Sequence, residues 1–336
     1  MEPPVVIQVD DGSRVAEVRR AVLQAAGREG LDENMSSNGA IVATELATNL
    51  ARHAQRGEIH LQRLSSRGLQ GLEIISIDRG PGMSNVQQCL ADGFSTGGTA
   101  GTGLGAVRRL STRFEIASAP GKGTVVSARL LAPAGTEEPG LRLGLAAKPI
   151  AGEDVSGDAW AARFGTNDAL LLLADGLGHG VQASDASNAA VRCFLKCSED
   201  SPAELLMRVH SALRGTRGAA VSIAKIEYDR ERVVFAGIGN VSGVILSSGA
   251  AGAMKLQSMV SHNGTAGHEV RQVKEFLYAF TKQDTIILHS DGLSGHWNLQ
   301  DYPGIARRHP SLLAATLYRD CARLRDDVCV LAGKTA

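Results

Sequence analysis

The sequence carries no excess of charge: 35 lysines and arginines stand against 35 aspartates and glutamates, with no run of one sign. A chain whose main partner is nucleic acid or an anionic membrane surface concentrates basic residues on one face, so the balance argues against both as the main partner, and no nucleic acid or membrane partner is expected. Cysteine is sparse and odd in number, five at irregular spacing, which is not the framework of a disulfide-stapled secreted domain. Long apolar runs are missing as well. The stretch Ala169 to Ala174 is strand-length and far too short to cross a bilayer. The start, MEPPVVIQVDD, has no basic region followed by an apolar one and is not a signal peptide. The expectation is a cytoplasmic protein.

What is present suffices for two cores. At 336 residues and 43% hydrophobic, the chain is long for one domain and comfortable for two. In the first part, SRVAEVRRAVLQAA (13–26) has helical spacing, with Ser13 as N-cap and Gly27 as stop; a second helix is predicted over 37–54 and another over 104–112. Strands are predicted at EIHLQRL, GLEIISID, FEIASA and TVVSARLLA. The segment APAGTEEPG (132–140) reads as a linker. Beyond it strand-like runs dominate (LRLGLAAK, ALLLLAD, AAVSIAKIEY, RVVFAGIG, DTIILHSD, DVCVLAG), with helices over 182–197, 202–213 and 311–320. The fold class is α/β (α+β) in two domains, 1–131 and 141–336.

Three segments of the first domain carry chemistry. Glu45 and Asn49 are four apart on a helix and share a face, where a carboxylate can orient a hydroxyl and an amide oxygen can hold Mg²⁺. Asp78-Arg79-Gly80-Pro81-Gly82-Met83 places a carboxylate at a strand end beside glycines that admit a flat ring. Gly93 to Gly105 is glycine-rich and runs into a helix, so its backbone N–H groups can cradle phosphate. It is neither a Walker A loop nor a Rossmann fingerprint. Taken singly, each segment is equally an ordinary helix face or turn.

In order, E-L-A-T-N, D-R-G-P-G-M and G-T-G-L-G resemble the N-box and two glycine boxes of the GHKL ATPase family. D-G-F-S-T-G-G…G-L-G-A-V-R-R-L is similar to the RsbT-type switch kinases within it. The resemblance covers nearly all of residues 5–131 and implies a Bergerat-type α/β sandwich with helices on one face of a mixed sheet. It implies Glu45 as catalytic base, Asn49 as the Mg²⁺ ligand and Asp78 as the reader of adenine. Gly80 and Gly82 would shape the ATP pocket, Gly101, Thr102, Gly103 and Gly105 would line the phosphate lid, and Thr124 would contact nucleotide through water. Neither a phosphoacceptor histidine helix nor a receiver domain accompanies them, so the expected acceptor is a Ser or Thr of a partner.

The second domain has acids at strand ends and turns: Asp158 in V-S-G-D-A, Asp175 in A-D-G-L-G-H-G, Asp291 in H-S-D-G-L and Asp326 in R-D-D-V-C. Any one Asp-Gly is commonly a turn. Two of these acids, however, end strongly apolar strands, where a carboxylate is costly unless paired or liganded. Converging carboxylates repel one another, and divalent cations relieve that while activating water for attack on a phosphate ester. No cysteine has a C-x5-R context. The ordered set resembles the PPM metal-dependent phosphatases through their SpoIIE-like branch, and is similar to the RsbX type, over most of 141–334, including R-G-A-A-V-S-I-A-K-I, G-N-V and D-D-V. It implies an α/β-β/α sandwich holding two Mn²⁺ or Mg²⁺ ions. Asp175 would bridge them with the Gly176 carbonyl as a further ligand, Asp158 would complete one sphere, and Asp291 and Asp326 the other. Asp327 would support rather than ligate. His179 fits a general acid or a turn histidine equally; histidines 262, 268, 289 and 296 and the pair Cys193 and Cys197 read as structural.

Together the resemblances imply a bifunctional Ser/Thr kinase and phosphatase of a bacterial partner-switching or stressosome-type pathway. Its expected substrate is a STAS-domain protein or stressosome scaffold, with a downstream phosphatase or sigma-factor regulator as a further partner. Two other readings stay open: an anti-sigma-type or contact-activating module switched by nucleotide, and a phosphatase with a regulatory ATP-sensing domain.

Overall fold

The computed structural model describes residues 3–54, 57–66, 69–90, 103–136, 140–249, 254–268, 270 and 272–336. The chain divides into two compact units, Glu2–Pro139 with Asp301–Arg308, and Gly140–Gln300 with His309–Ala336. Among the described residues no helix is long and apolar enough to cross a membrane.

The first unit runs β1 (Val5–Val9), α1 (Arg14–Arg28), α2 (Glu33–His53), β2 (Gly57–Ser66), β3 (Leu69–Ile77), α3 (Val86–Cys89), α4 (Gly103–Leu110), β4 (Arg113–Ala119) and β5 (Gly123–Thr136). The sheet order is β1-β2-β3-β5-β4. Among the described residues its pairings are all antiparallel, so the expected mixed sheet is not found there. The reason lies in the connections. Two successive helices between β1 and β2 return the chain to the end it left, and the other neighbours are hairpins or follow a single return. One sheet face packs under α1 and α2 through Val18, Val22, Leu46 and Leu50 against Ile59, Leu72, Ile74 and Leu130.

Helix ends are set by capping chemistry more than by periodicity. The Asp32 side chain accepts from Met35 N at 2.7 Å, which starts α2 four residues earlier than its apolar pattern does. Ser13 makes no side-chain cap; instead its own N–H donates to Asp11. Helix α1 continues through Gly27 and ends before Gly30, whose φ of +65° favours glycine. Strand β5 runs on through Thr136, which pairs with Leu69 beyond a bulge, so residues 132–136 of the expected linker are strand.

The second unit stacks two five-stranded antiparallel sheets. One has the order β13 (Phe276–Ala279), β10 (Arg232–Ile238), β9 (Ala219–Glu227), β8 (Asp168–Gly176), β7 (Asp158–Phe164). The other runs β12 (Met254–Met259), β11 (Ser242–Ser248), β14 (Thr285–His289), β15 (Val328–Thr335), β6 (Leu141–Lys148). Leu145, Leu171, Leu173, Phe235, Ile286 and Leu331 fill the space between them. Helices α5 (Val181–Lys196) and α6 (Pro202–Ala212) cover the outer face of the first sheet through Phe194, Leu205, Leu206 and Val209, and α7 (Pro310–Cys321) packs on β6 and β15. The result is the four-layer α/β-β/α sandwich anticipated above.

Candidate functional sites

In the first unit the nucleotide-type motifs gather at one end of the sheet. Glu45 and Asn49 lie on the second half of α2, both half-buried. A methyl group added to Gly103, the first residue of α4, would stand 2.9 Å from Glu45 Oε2 and 3.8 Å from the Asn49 amide. Glycine is thus what lets the start of α4 sit directly over both side chains. The turn after β3 reaches the end of α2, where a side chain on Gly80 would strike the His53 carbonyl at 2.6 Å. Gly80 N donates to Asp78 Oδ1 at 2.7 Å. Gly82 has φ +69°, and a Cβ there would overlap the Ala119 carbonyl.

Thr124 belongs to the same constellation. Asp78 N donates to its carbonyl at 2.9 Å, and its hydroxyl meets Ser118 Oγ at 3.0 Å. Ser118 also accepts from Met83 N, so it pins the Asp78–Met83 turn to the β4–β5 hairpin. No sequence signal marked it, since a serine in a strand is common. Gly105 is buried on α4. Gly101 and Thr102 lie outside the described residues.

The acids of the second unit converge at one end of the sandwich. Asp158 and Asp175 are direct partners across the β7–β8 ladder, a placement that sets like charges side by side. Although Asp158 as a residue is only partly buried, its Oδ1 is shielded from solvent and has no hydrogen-bond partner among the described residues. Its Oδ2 accepts from Ser290 Oγ at 2.7 Å, and Ser290 in turn accepts from Cys329 N, linking the two sheets at the site. Burial, then the charge of Asp175, pushes the Asp158 carboxyl well above the ordinary carboxylate range. Burial, then Asp291 and Asp326, lifts Asp175 to about 7, although the Asp291 N–H donates to it.

Asp291 follows β14 and accepts from Asn240 Nδ2 at 2.6 Å. Burial and Asp326 raise its pKa, opposed by Arg323 and Asn240. Asp326 and Asp327 precede β15. Asp327 accepts from Ile150 N at 2.8 Å and Gly157 N at 2.7 Å, so it anchors the loop leading to Asp158. Two glycines permit these approaches. A Cβ on Gly176 would overlap the Ala183 carbonyl, and one on Gly292 would overlap that of Asp327. Ser290 and Asn240 stand inside the H-S-D-G-L and G-N-V motifs, and only the folded strands reveal what they hold.

Other candidates fall outside this cluster. His179 is exposed, its Nδ1 2.7 Å from Glu153 Oε1. His289 packs against Trp297, His262 against Phe276, and His268 Nε2 meets the Arg217 carbonyl. Cys193 and Cys197 are free thiols 3.7 Å apart.

Among the described residues no group of three or more His, Cys, Asp and Glu stands ready-made as a metal cage. The chemistry of the donors still fits a hard cation. They are all oxygens, one is buried without a partner, and burial first, then their mutual repulsion, raises the carboxyls of Asp158 and Asp175. A stability test follows from the raised acids. A carboxyl with a raised folded pKa contributes stability that is complete below its unfolded pKa of about 4 and lost as pH rises through about 7. Metal-free protein should therefore melt at a lower temperature at about pH 8 than at about pH 5, and Mg²⁺ or Mn²⁺ should raise the melting point more at the higher pH. A melting point that climbs over that interval in chelator would contradict the reading.

Comparison with known proteins adds family membership to this geometry. The family described as stage II sporulation protein E (SpoIIE) matches residues 165–336, just over half the chain. The chain belongs to the SpoIIE family. Ahead of it, residues 9–130 match the histidine kinase-like ATPase domain, so the protein is a fusion of a GHKL-type domain with a PPM-type domain. Two relatives from Bacillus subtilis (strain 168) match the two parts. One, the serine/threonine-protein kinase RsbT, is 41% identical over 85 residues, 25% of this chain and 64% of the relative. The other, the phosphoserine phosphatase RsbX, is 24% identical over 143 residues, 43% of this chain and 70% of the relative. The chain thus spans slightly less than two thirds of the kinase relative. Among solved structures, RsbX in complex with magnesium superposes with a TM-score of 0.52 at 19% identity, over 60% of this chain and 98% of that one, a likeness of fold. A chain described under "The bacterial stressosome: a modular system that has been adapted to control secondary messenger signaling" gives TM-score 0.52 at 25% identity, over 59% and 100%.

Proposed function

We propose that this SpoIIE-family chain is a two-way switch enzyme, an ATP-dependent protein Ser/Thr kinase joined to a metal-dependent protein Ser/Thr phosphatase. Its proposed target is a STAS-domain protein of a partner-switching or stressosome-type pathway. The observation that carries the reading is that one chain holds both constellations with their reactive groups present: Glu45 and Asn49 beneath the start of α4, and Asp158, Asp175, Asp291, Asp326 and Asp327 at one end of the sandwich. The RsbT and RsbX relatives support the two halves respectively.

In the kinase half, Glu45 takes the proton from the acceptor hydroxyl as it attacks the terminal phosphate of ATP and ADP leaves, and Asn49 would hold Mg²⁺ through its amide oxygen. Asp78 accepts from the adenine amino group, beside Gly80 and Gly82, whose missing side chains leave the backbone close-packed there. Gly103 and Gly105, with Gly101 and Thr102, present backbone N–H groups to the phosphates. Thr124 and its partner Ser118 steady the adenine side. A Ser or Thr acceptor, rather than an acid or histidine, is supported by the RsbT relative.

In the phosphatase half, Asp175 would serve both cations with the Gly176 carbonyl as a further ligand, Asp158 would hold one, and Asp291 and Asp326 the other. When bound, two Mg²⁺ or Mn²⁺ ions supply the Lewis acidity that activates water and offsets charge on the phosphate oxygens. Ser290 and Asn240 aim Asp158 and Asp291, and Asp327 fixes the loop before Asp158. The test is direct. The chain, a STAS-domain protein and ATP with Mg²⁺ should give a phosphorylated Ser or Thr, and the phosphorylated partner without ATP should lose the group in Mn²⁺ or Mg²⁺ and keep it in chelator. A partner that gains no phosphate, or loses it equally in chelator, would overturn the corresponding half.

A further inference from the structure

A phosphoserine carries close to two negative charges at neutral pH, and the proposed phosphatase site is itself walled by aspartates. The cations proposed for the site offset that charge at the reacting centre, and a cationic side chain at the lip would orient the dianion as it enters. The cations nearby are mostly committed. His179 pairs with Glu153, and Arg323 already acts electrostatically on Asp291. Arg217 differs. It is exposed, and among the described residues its guanidinium takes part in no hydrogen bond or ion pair.

Its place is closely defined. A methyl group added to Gly178 would stand 3.2 Å from Arg217 Nη1, so the guanidinium lies against the turn that immediately follows Asp175 and Gly176. The backbone under it is held from several sides. Leu177 N donates to the Gly218 carbonyl at 3.1 Å, Gly218 N donates to Thr216 Oγ1 at 3.0 Å, and the Arg217 carbonyl meets His268 Nε2 at 2.9 Å. Gly218 has φ +78° and no room for a side chain, since a Cβ would come within 2.7 Å of the Ala266 carbonyl. Most exposed arginines are merely solvated. This one stands on a held backbone against the turn that follows Asp175 and Gly176, and among the described residues no acid pairs with it.

We propose that Arg217 is the substrate-phosphate contact of the phosphatase site, its guanidinium fork receiving two phosphoryl oxygens of the phosphoserine or phosphothreonine while the aspartates face the bond to be broken. The inference rests on the phosphatase reading and deepens it by assigning the residue that binds the dianion. A planar fork suits a phosphate in two-point contact, which a lysine ammonium reproduces only as a point charge.

The experiment compares wild type, Arg217→Ala and Arg217→Lys in Mn²⁺, with a phosphoserine protein as substrate and inorganic phosphate as product inhibitor. Because Arg217 is exposed, melting temperatures should agree among the three. Loss of a contact made equally to substrate and transition state should raise KM at least about tenfold in Arg217→Ala with kcat within about twofold, and Arg217→Lys should recover part of the loss. Inhibition by inorganic phosphate should weaken in parallel. If the wild type hydrolyses the substrate and Arg217→Ala leaves both KM and phosphate inhibition unchanged, the assignment of Arg217 is wrong while the phosphatase reading stands. If the wild type shows no metal-dependent hydrolysis, the phosphatase reading fails and takes the inference with it.

Discussion

Asp175→Asn should reduce hydrolysis of a phosphoserine protein, or of p-nitrophenyl phosphate, by about a hundredfold or more. The residue ends β8 opposite Asp158, within the electrostatic reach of Asp291 and Asp326, and it is the one acid of the set proposed to serve both cations. Replacing one oxygen by an amide removes the charge but keeps the shape. The loss therefore reports on cation chemistry, which supplies several kcal/mol at about tenfold in rate per 1.4 kcal/mol. Asp291→Asn touches one proposed ion only, so excess metal should recover part of its activity, whereas it should not rescue Asp175→Asn. The asymmetry between the two variants is the measurement. Equal rescue of both would remove the bridging role, and an unimpaired Asp175→Asn would remove the mechanism. The same substitution should flatten the pH dependence of melting in metal-free protein, because it deletes the carboxyl that is raised to about 7.

Glu45→Gln should abolish phosphotransfer to the partner, a loss of about a hundredfold to ten-thousandfold if the carboxylate is the general base. ATP binding should stay within about twofold, since the glutamine keeps the contact with the start of α4 that Gly103 makes possible. Asp78→Asn should do the reverse and weaken binding itself. It alters the group proposed to read adenine and disturbs the Gly80 N–H that the carboxylate holds. Nucleotide affinity measured by calorimetry alongside labelling of the partner separates the two effects. Normal labelling by Glu45→Gln would mean that another group takes the proton.

How far the sequence reveals these sites depends on the element. Strands β6 and β8 were located almost to the residue: β8 is a run of apolar residues buried on both faces, and β6 keeps four consecutive buried residues between Arg142 and Lys148. Strand β7 was not, although it carries Asp158. Its sequence DAWAARF mixes alanine and arginine, and it becomes a strand by pairing with β8 rather than by its own pattern. Strand β12, with four exposed residues in MKLQSM, left no signal either. Pro133 and Gly135 suggested a linker where β5 in fact continues, since an edge-tolerant extension needs only the partner Leu69.

The sites divide along the same line. Acids and glycines in motifs could be named from their order alone, but the groups that hold them could not. Ser290 reaches Asp158 across 132 positions, Asp327 reaches Gly157 across 170, and Ser118 joins two turns 35 apart. Such contacts are products of sheet register, and local sequence does not record them.

The central claim is that one chain both writes and erases a phosphate on one partner, and phosphosite mapping by mass spectrometry addresses it most directly. Wild-type protein with ATP and metal should bring the partner to a steady, partial phosphorylation while ATP continues to be consumed. Asp175→Asn should drive the same Ser or Thr to near-complete occupancy, and Glu45→Gln should only empty a partner phosphorylated beforehand. A residue filled by the Asp175→Asn form and never emptied by the Glu45→Gln form would contradict the account, for the two halves would then serve different substrates.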